Sequence, residues 1–180
     1  MIHATDSKGT FYILNKKDRT PIIFIHGVGL DHSIWDPQIN EFDNTVLIYD
    51  ILGHGKTPLN KNDLSFDDFS NQILNLMDEL KFNKVHLVGF SIGSLIARNF
   101  ATRFNDRLAS LTLLCSIFNR SDKEQKIVND RFEQTKKDHK LTKDALKRWF
   151  TEDFLNKNPD ISDKIFTILQ NNNMNNFIKI

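Results

Sequence analysis

Apolar residues in the first two-thirds of the chain fall into short, nearly continuous runs. A half-exposed strand alternates apolar and polar residues, whereas a strand buried on both faces of a parallel sheet is apolar throughout. We therefore predict four buried parallel strands, at residues 21–25, 46–50, 85–88 and 109–115. Ahead of them, residues 10–14, with a turn at 15–20, predict an antiparallel hairpin at the edge of the sheet.

Between these runs the apolar residues recur with the spacing of a helix. We predict helices at residues 31–42, 66–80 and 92–104. Ser65 is a favourable N-cap for the second of them, and Asp67 and Asp68 place negative charge in its first turn. Strands that alternate with helices predict an α/β fold, in which a mostly parallel sheet has both faces covered by helices.

The pattern changes near Phe118. The residues that follow are rich in charge and helical in their periodicity, with helices predicted at 123–138 and 142–156 and no strong strand. We interpret residues 1–118 as the core and residues 119–180 as an incomplete helical cap laid over the sheet. The alternative is a set of ordinary solvated surface helices.

The composition fits one globular domain and limits its partners. The chain has 180 residues, 39% hydrophobic and 26% charged, with a formal net charge of +1. Its lysines and arginines are scattered among acidic residues, so no nucleic-acid surface is predicted. No apolar run approaches the ~18 residues of a membrane span. The first residues also lack the apolar core of a signal peptide, so we expect a cytoplasmic protein.

The chain contains a single cysteine, Cys115. One cysteine excludes an internal disulfide. Because it ends the apolar run at 109–115, we expect it to be a small buried hydrophobe, as free cysteines usually are.

The most specific pattern is Gly-Phe-Ser-Ile-Gly at residues 89–93, between a predicted strand and a predicted helix. Gly-x-Ser-x-Gly in that context is typical of a nucleophile elbow, a sharp turn that exposes the serine side chain. Gly89 and Gly93 allow the strand and the helix to pack without side chains between them. Ser91 is therefore the candidate nucleophile, and free N–H groups at the helix start favour negative charge nearby.

A second glycine-rich turn, His26-Gly27-Val28-Gly29, follows the strand predicted at 21–25. Its glycines allow the backbone to approach a ligand closely, and the alternative is an ordinary tight turn. We expect the N–H groups of Val28 and Ile92 to form a two-donor oxyanion hole, a site for the negative oxygen of a tetrahedral intermediate.

A third turn, with Gly53, His54 and Gly55, begins at Asp50 after the strand predicted at 46–50. We interpret Asp50 as a structural residue that hydrogen-bonds this turn. All three turns follow the carboxyl ends of predicted parallel strands. These ends meet at one rim of the sheet, which is where open α/β sheets bind ligands.

With HGxG, D-x-x-G-H-G and G-x-S-x-G in this order, the chain resembles the α/β-hydrolase superfamily over nearly its whole length. Residues 30–38 and 148–151 are similar to 3-oxoadipate enol-lactonases and related esterases, although Trp35 and Trp149 are equally explained by packing. The resemblance implies an α/β-hydrolase fold with a helical cap, a serine nucleophile and a small-molecule ester or lactone as substrate. It implies no metal and no organic cofactor. The serine at the elbow distinguishes the chain from epoxide hydrolases and haloalkane dehalogenases, which carry a carboxylate there.

The resemblance also implies an acid and a histidine base that follow the serine. Of the six histidines only His139 follows Ser91, and its charged surroundings fit a solvated turn better than a catalytic base. His54, near the rim, is a weak alternative. We expect the chain to be truncated before the acid, the histidine and the last strands, which leaves the run at 109–115 as an exposed edge.

Several functions are consistent with these residues. The first is a serine-nucleophile hydrolase of carboxylic esters or lactones, inactive as the fragment written here; serine-dependent carbon–carbon bond hydrolases and perhydrolases remain open. The second is a non-catalytic remnant or small-molecule-binding protein of the same fold. The third is a site that a second polypeptide completes. The sequence indicates neither the exact substrate nor the oligomeric state.

Overall fold

The computed structural model of the chain describes residues 1–138 and 144–180, which contain a six-stranded sheet. Its strands are β1 (Ile2–Thr5), β2 (Phe11–Asn15), β3 (Arg19–Ile25), β4 (Asn44–Tyr49), β5 (Val85–Phe90) and β6 (Leu108–Leu114). Their order across the sheet is β1-β2-β4-β3-β5-β6; the last four are parallel, and β2 is antiparallel to both of its neighbours. The four parallel strands are those predicted from the apolar runs, so the predicted α/β architecture with a mostly parallel sheet is confirmed.

The predicted hairpin has the wrong partner. Residues 10–14 correspond to β2, but β2 lies between β1 and β4 and turns back on β1. Residues 15–20 lead instead into β3, which does not pair with β2. The turn of the hairpin is stabilised by the Asp6 carboxylate, which accepts the N–H groups of Lys8 at 2.9 Å and Thr10 at 2.7 Å. β1 has only four mostly exposed residues, so no apolar pattern marks it.

The helix predicted at 31–42 is also wrong. The chain forms only a short 3₁₀ helix, His32–Trp35, which is followed by turns. Hydrogen bonds in this segment join an N–H to the carbonyl three residues earlier, as from Asp36 to Ser33 at 3.2 Å. Pro37 has no N–H, so an α-helix through this position would lose a hydrogen bond.

Two helices form as predicted and cover one face of the sheet: α1 (Phe66–Glu79) and α2 (Ile92–Arg103). α1 begins at Ser65, whose N–H and hydroxyl both donate to the Asp68 carboxylate at 2.8 Å. The apolar sides of both helices pack on the sheet in the larger core. Its fully buried members include Ile23, Ile25, Leu47, Tyr49, Ile73, Leu76, Met77, Val85, Leu87, Ile96 and Phe100.

The opposite face of the sheet is covered less completely. Trp35 and Ile39 pack there against side chains of β2, β3 and β4. Toward β6 this face is open and forms a shallow cavity of about 430 Å³. The cavity is lined by Ile22, Phe24, Phe42, Asn44, His86, Val88, Ser110 and Thr112.

β6 forms an edge of the sheet, and within the described residues it pairs only with β5. Leu111, Leu113 and Leu114 are 37% to 38% exposed, as expected for the run at 109–115. Cys115, directly after β6, is exposed, so the expectation that it is buried is wrong. The reason is its position at the end of an edge strand, which has a neighbour on one side alone.

The described residues after β6 form helices: α3 (Asp122–Asp138), α4 (Asp144–Trp149), α5 (Glu152–Lys157), α6 (Pro159–Gln170) and α7 (Met174–Phe177). α3 was predicted. The helix predicted at 142–156 is two helices, and its first residues lie outside those described. Thr151 separates the two because its hydroxyl accepts the N–H of Phe154 at 3.2 Å and caps α5. None of the described helices is long and apolar enough to cross a membrane.

α6 and the turn after it contact the loop that follows β3. The Lys164 ammonium lies 2.8 Å from the Asp36 carboxylate. The Asn172 amide donates to the Gly29 carbonyl at 2.7 Å and also contacts the carbonyls of Ile168 and Leu169. These contacts place the last helices beside the rim that carries the glycine-rich turns.

Candidate active site

Ser91 lies at the sharp turn between β5 and α2. Its backbone has φ 55° and ψ −119°, a conformation that a residue with a side chain rarely adopts. The flanking glycines explain how the turn fits. A Cβ on Gly89 would lie 2.2 Å from the Gly93 carbonyl oxygen, and a Cβ on Gly93 would lie 2.6 Å from that of Ile25. The turn therefore has the geometry of a nucleophile elbow, packed against the end of β3.

The backbone of Ser91 is held on both sides. Its N–H donates to the Leu114 carbonyl at 2.9 Å, and its carbonyl accepts the Ser94 hydroxyl at 2.5 Å. The Ser91 hydroxyl makes no hydrogen bond to another described residue and borders a cavity of about 660 Å³. The backbone is thus fixed while the side chain is left available to a ligand.

The turn at residues 26–29 lies directly beside Ser91. A Cβ on Gly27 would lie 3.4 Å from the Ser91 Cβ and 3.1 Å from the Phe90 ring, so a larger residue would press on the elbow. The N–H groups of Val28 and Ile92, the two predicted oxyanion donors, have no acceptor among the described residues. Both are therefore free to bind a ligand oxygen.

His26 and His54, the histidines of the two glycine-rich turns, each accept a hydrogen bond from a backbone N–H. His26 Nε2 accepts the Ile51 N–H at 3.1 Å, and His54 Nε2 accepts the Gly29 N–H at 2.9 Å. Burial lowers the pKa of His26 to about 4 and that of His54 to about 3, so both are neutral at pH 7. Their acceptor nitrogens are already occupied, which leaves neither of them able to take a proton from Ser91.

Asp50 is structural, as predicted, and its pairing with His32 was not predicted. Its buried carboxylate accepts the Lys56 N–H at 2.8 Å, the His32 N–H at 2.8 Å and the His32 ring nitrogen Nδ1 at 2.7 Å. Gly55 is required beside it, because a Cβ there would lie 2.3 Å from an Asp50 oxygen. No spacing in the sequence marks this pair, since His32 reaches Asp50 from a different loop.

The pKa values of this pair reflect their contact. Burial alone would raise the pKa of Asp50, but the hydrogen bond and charge of His32, with the N–H donors, lower it. Burial would likewise lower the pKa of His32, but the hydrogen bond and charge of Asp50 raise it. Oxygens of Asp31 and Asp50 and a nitrogen of His32 lie within 4.8 Å of one another. Because the oxygens of Asp50 are engaged by N–H groups, we interpret this cluster as structural.

The cavity beside Ser91 is mostly apolar. It is lined by Leu30, Ile34, Trp35, Phe90, Leu114, Cys115, Arg148, Trp149, Phe150 and Ile165. The segments singled out in the sequence, around Trp35 and at 148–150, thus meet at the candidate nucleophile. Leu114 and Cys115 were not predicted to line the cavity, although Cys115 follows β6 at the same rim as Ser91 follows β5.

No histidine or carboxylate lines this cavity in the described part of the chain. His86 instead contacts the Ser110 hydroxyl at 2.8 Å, outside the cavity, and His3 lies on β1 at the far edge of the sheet. His139 lies outside the described residues. The described site therefore contains a candidate nucleophile and oxyanion donors without a candidate base.

The order of strands, the elbow after β5 and the neighbouring glycine turn together define an α/β hydrolase. The sequence profile of the alpha/beta hydrolase fold family matches residues 20–168. The chain belongs to this family.

Two of the relatives are named as a hydrolase and an enol-lactonase. The chain is 28% identical over 170 residues to an (E)-2-((N-methylformamido)methylene)succinate hydrolase of Acinetobacter baylyi, a match that covers 93% of the chain and 64% of that protein. It is 23% identical to 3-oxoadipate enol-lactonase 2 of the same organism, over 90% of the chain and 61% of that protein. The chain thus spans less than two-thirds of the length of these relatives.

Solved structures show the same fold. An enol-lactonase from Burkholderia xenovorans is 25% identical, with a TM-score of 0.76 over 99% of this chain and 71% of that one. A hydrolase from Pseudomonas aeruginosa, 19% identical, has a TM-score of 0.83 over 99% of this chain and 69% of that one. The predicted likeness to enol-lactonases is confirmed.

Proposed function

We propose that this chain carries the nucleophile and oxyanion hole of a serine hydrolase that acts on carboxylic esters or lactones. The observation that supports this most strongly is the strained Ser91, whose free hydroxyl borders an apolar cavity directly beside the turn at 26–29. The proposed division is a core at residues 1–118 that carries these groups and a cap at 119–180 that closes the acyl pocket.

In the proposed reaction the Ser91 oxygen attacks the ester carbonyl carbon, and its proton passes to a base. The N–H groups of Val28 and Ile92 hold the resulting oxyanion, each donor typically contributing a few kcal/mol of transition-state stabilisation. The protonated base then gives its proton to the leaving oxygen as the tetrahedral intermediate collapses, so the C–O bond breaks to an alcohol and an acyl-serine remains, which water hydrolyses to the acid. Every step is a proton or acyl transfer, so the proposal includes no metal and no organic cofactor.

A non-catalytic binding function is the second candidate. It is favoured by one observation, the absence of a base from the described lining of the cavity. A serine hydroxyl without a base is a weak nucleophile. Such a protein would hold an ester or lactone in the apolar cavity without cleaving it.

The first test measures turnover and acylation of the 180-residue chain with p-nitrophenyl butyrate. We expect little turnover, because the described cavity has no base and general-base catalysis typically accelerates a reaction about 10²- to 10⁴-fold. Adding imidazole as an external base should increase butyrylation of Ser91, detected by peptide mass mapping. Ser91→Ala should lose the adduct, and Ser121→Ala, at an exposed serine, should keep it.

The outcomes separate the two candidates. Butyrylation confined to Ser91 supports the hydrolase, and fast turnover without imidazole that Ser91→Ala abolishes would show that the chain supplies its own base. An unlabelled Ser91 in the presence of imidazole contradicts the proposed nucleophile. Saturable binding of butyrate esters without labelling would then support the binding function. The fluorescence of Trp35 and Trp149 measures this binding.

A further inference from the structure

One side of the cavity beside Ser91 is formed by a single short stretch of chain. Leu30, Ile34 and Trp35 all line the cavity, and the short 3₁₀ helix carries the last two. We call residues 30–35 the wall segment. A 3₁₀ helix of one turn has few hydrogen bonds of its own, and their geometry is poor. The positions of these lining side chains therefore depend on what holds the segment to the rest of the protein.

The buried anchor of the wall segment is His32. Its N–H and its ring nitrogen Nδ1 both bind the same oxygen of Asp50, at 2.8 Å and 2.7 Å. The His32 ring also packs on the Phe11 ring, with the ring centres 4.9 Å apart. The Asp50 side chain is fully buried, and 12% of the His32 side chain is exposed. The backbone and the side chain of one residue are thus fixed to one carboxylate in the interior.

Asp50 is in turn fixed to the sheet and to α1. It directly follows β4, and its N–H donates to the Phe11 carbonyl of β2 at 3.1 Å. Its carbonyl accepts the Gln72 amide of α1 at 3.0 Å, and its second carboxylate oxygen accepts the Lys56 N–H at 2.8 Å. Because β4 and α1 belong to the larger core, the contact with His32 ties the wall segment to that core.

His32 lies behind the wall that it holds. It is not among the described residues that line the cavity beside Ser91. It borders a separate polar cavity of about 210 Å³, together with Lys56 and Asn172. Leu30 lines both cavities and so lies between them. His32 therefore acts on a ligand beside Ser91 only through its neighbours in the wall segment.

A second contact holds the wall segment from outside. The Lys164 ammonium of α6 binds the Ser33 carbonyl at 2.9 Å and the Asp36 carboxylate at 2.8 Å. The side chains of Lys164 and Asp36 are each nearly half exposed. Exposed ion pairs contribute little, whereas breaking a buried pair leaves a charge without its partner and costs far more. The buried contact of His32 is therefore the stronger of the two.

We propose that His32, fixed by Asp50, is the positioning residue that holds the wall segment in the shape that binds the acyl group of an ester or lactone. This rests on the proposed function, because it takes the cavity beside Ser91 as the acyl pocket. Without the bonds of His32 the segment has several arrangements, and only a fraction of the molecules present a complete pocket. The apparent affinity for the ligand decreases by that fraction.

Two substitutions separate the hydrogen bond from the shape of the ring. His32→Phe keeps a ring on Phe11 and loses the donor to Asp50. His32→Asn loses the ring and keeps an N–H donor at the same distance along the side chain. Both are made in a Ser91→Ala background, so that ethyl butyrate binds without acylation, and tryptophan fluorescence follows the titration.

The expected results differ for the two substitutions. His32→Phe should raise the dissociation constant of ethyl butyrate at least about 10-fold, which corresponds to a complete pocket in about a tenth of the molecules. His32→Asn should bind nearly as tightly as the background variant. Ser65→Ala, at the start of α1 and away from the cavity, controls for a general loss of stability and should bind normally.

Several results would overturn the proposal. One is His32→Phe that binds ethyl butyrate as the background variant does, and another is His32→Asn that binds as weakly as His32→Phe. An equal loss in Lys164→Met would show that the segment is held from outside. A background variant that does not bind the ester saturably overturns the proposed function and this proposal together, whereas the other results overturn this proposal alone.

Hydrogen exchange supplies a readout that needs no ligand. The N–H groups of Ile34 and Asp36 bond within the chain, to the carbonyls of Asp31 and Ser33. Both should exchange faster in His32→Phe than in His32→Asn, and equal rates would contradict the proposal. Circular dichroism shows whether each variant is folded. Where His32→Phe does not fold, His32→Phe combined with Asp50→Asn takes its place, because that pair leaves no buried charge without a partner.

Discussion

The histidines at the rim show how single residues near a reactive serine can serve the fold alone. His26 and His54 each accept a backbone N–H from a neighbouring loop, and their rings lie 5.3 Å apart edge to face. Together they join the loop after β3 to the loop after β4 at the carboxyl ends of these strands. Their burial as neutral groups makes the protein sensitive to acid.

We predict that the free energy of unfolding decreases as the pH falls from about 6.5 toward 4. The folded-state pKa values of His26 (about 4) and His54 (about 3) lie below the unfolded value near 6.5, so only the unfolded chain binds these protons in that window. His32 acts in the opposite direction, since its raised pKa stabilises the fold below about 6.5, but one residue offsets only part of the loss.

Urea unfolding of His54→Gln across this pH range checks the prediction. The variant should lose about 1.6 kcal/mol less stability than the wild type between pH 6.5 and 5, because one titrating group is gone. His3→Gln, at an exposed position on β1, is the control. An identical pH slope in His54→Gln and the wild type would contradict the assignment.

Residue-scale prediction from the sequence worked where the cause is local. The positions of Ser91, Gly89 and Gly93 follow from the backbone of one turn, and a five-residue pattern contains that information. The exposure of Cys115 does not follow from its own neighbours in sequence, because it depends on which strand lies at the edge. The His32–Asp50 pair is hidden for the same reason, since it joins two loops.

Elements with strong end signals were also predictable. α1 has a serine before its first turn and an apolar stripe behind it, and it forms where expected. Residues 31–42 also carry apolar residues at helical spacing. Pro37 disfavours an α-helix there, and the segment forms a short 3₁₀ helix and turns instead. The break between α4 and α5 is set by Thr151, whose capping preference competes with the helical periodicity around it.

We predict that Ser65→Ala lowers the free energy of unfolding by about 1 kcal/mol, the usual cost of losing an N-cap. The Ser65 hydroxyl donates to the Asp68 carboxylate at 2.8 Å, and the substitution removes that bond from the first turn of α1. Ser65→Thr keeps a hydroxyl and should stay close to the wild type in urea unfolding. Equal losses in both variants would assign the effect to something other than the cap.

At the scale of the whole molecule, the strand order explains why the site could be predicted in outline. Parallel strands bring their carboxyl ends to one rim, so turns far apart in the sequence meet there whatever their individual contacts are. The placement of the last helices could not be predicted in this way. They reach the rim through individual polar contacts, such as that of Asn172 with Gly29, which no periodicity encodes.

Asn172→Ala tests this connection. The Asn172 amide joins the end of α6 to the Gly29 carbonyl, in the turn that carries the proposed oxyanion donor Val28. We expect a loss of about 1 kcal/mol in the free energy of unfolding, typical of an intramolecular hydrogen bond. Faster amide hydrogen exchange at residues 27–30 should accompany it. Asn171→Ala, at an exposed neighbour, should change neither, and unchanged exchange in Asn172→Ala would show that the contact does not hold the loop.

The glycines around Ser91 have a consequence for how such a chain changes over time. A Cβ at Gly89 or Gly93 would collide with backbone atoms, and one at Gly27 would press on the Phe90 ring, so the packing of the turn depends on these glycines. The Ser91 hydroxyl, in contrast, makes no hydrogen bond to another described residue, so the packing of the turn does not require it. A lineage that had stopped using this site could replace the serine, most easily with glycine because φ at this position is 55°, and would still have to keep Gly89 and Gly93.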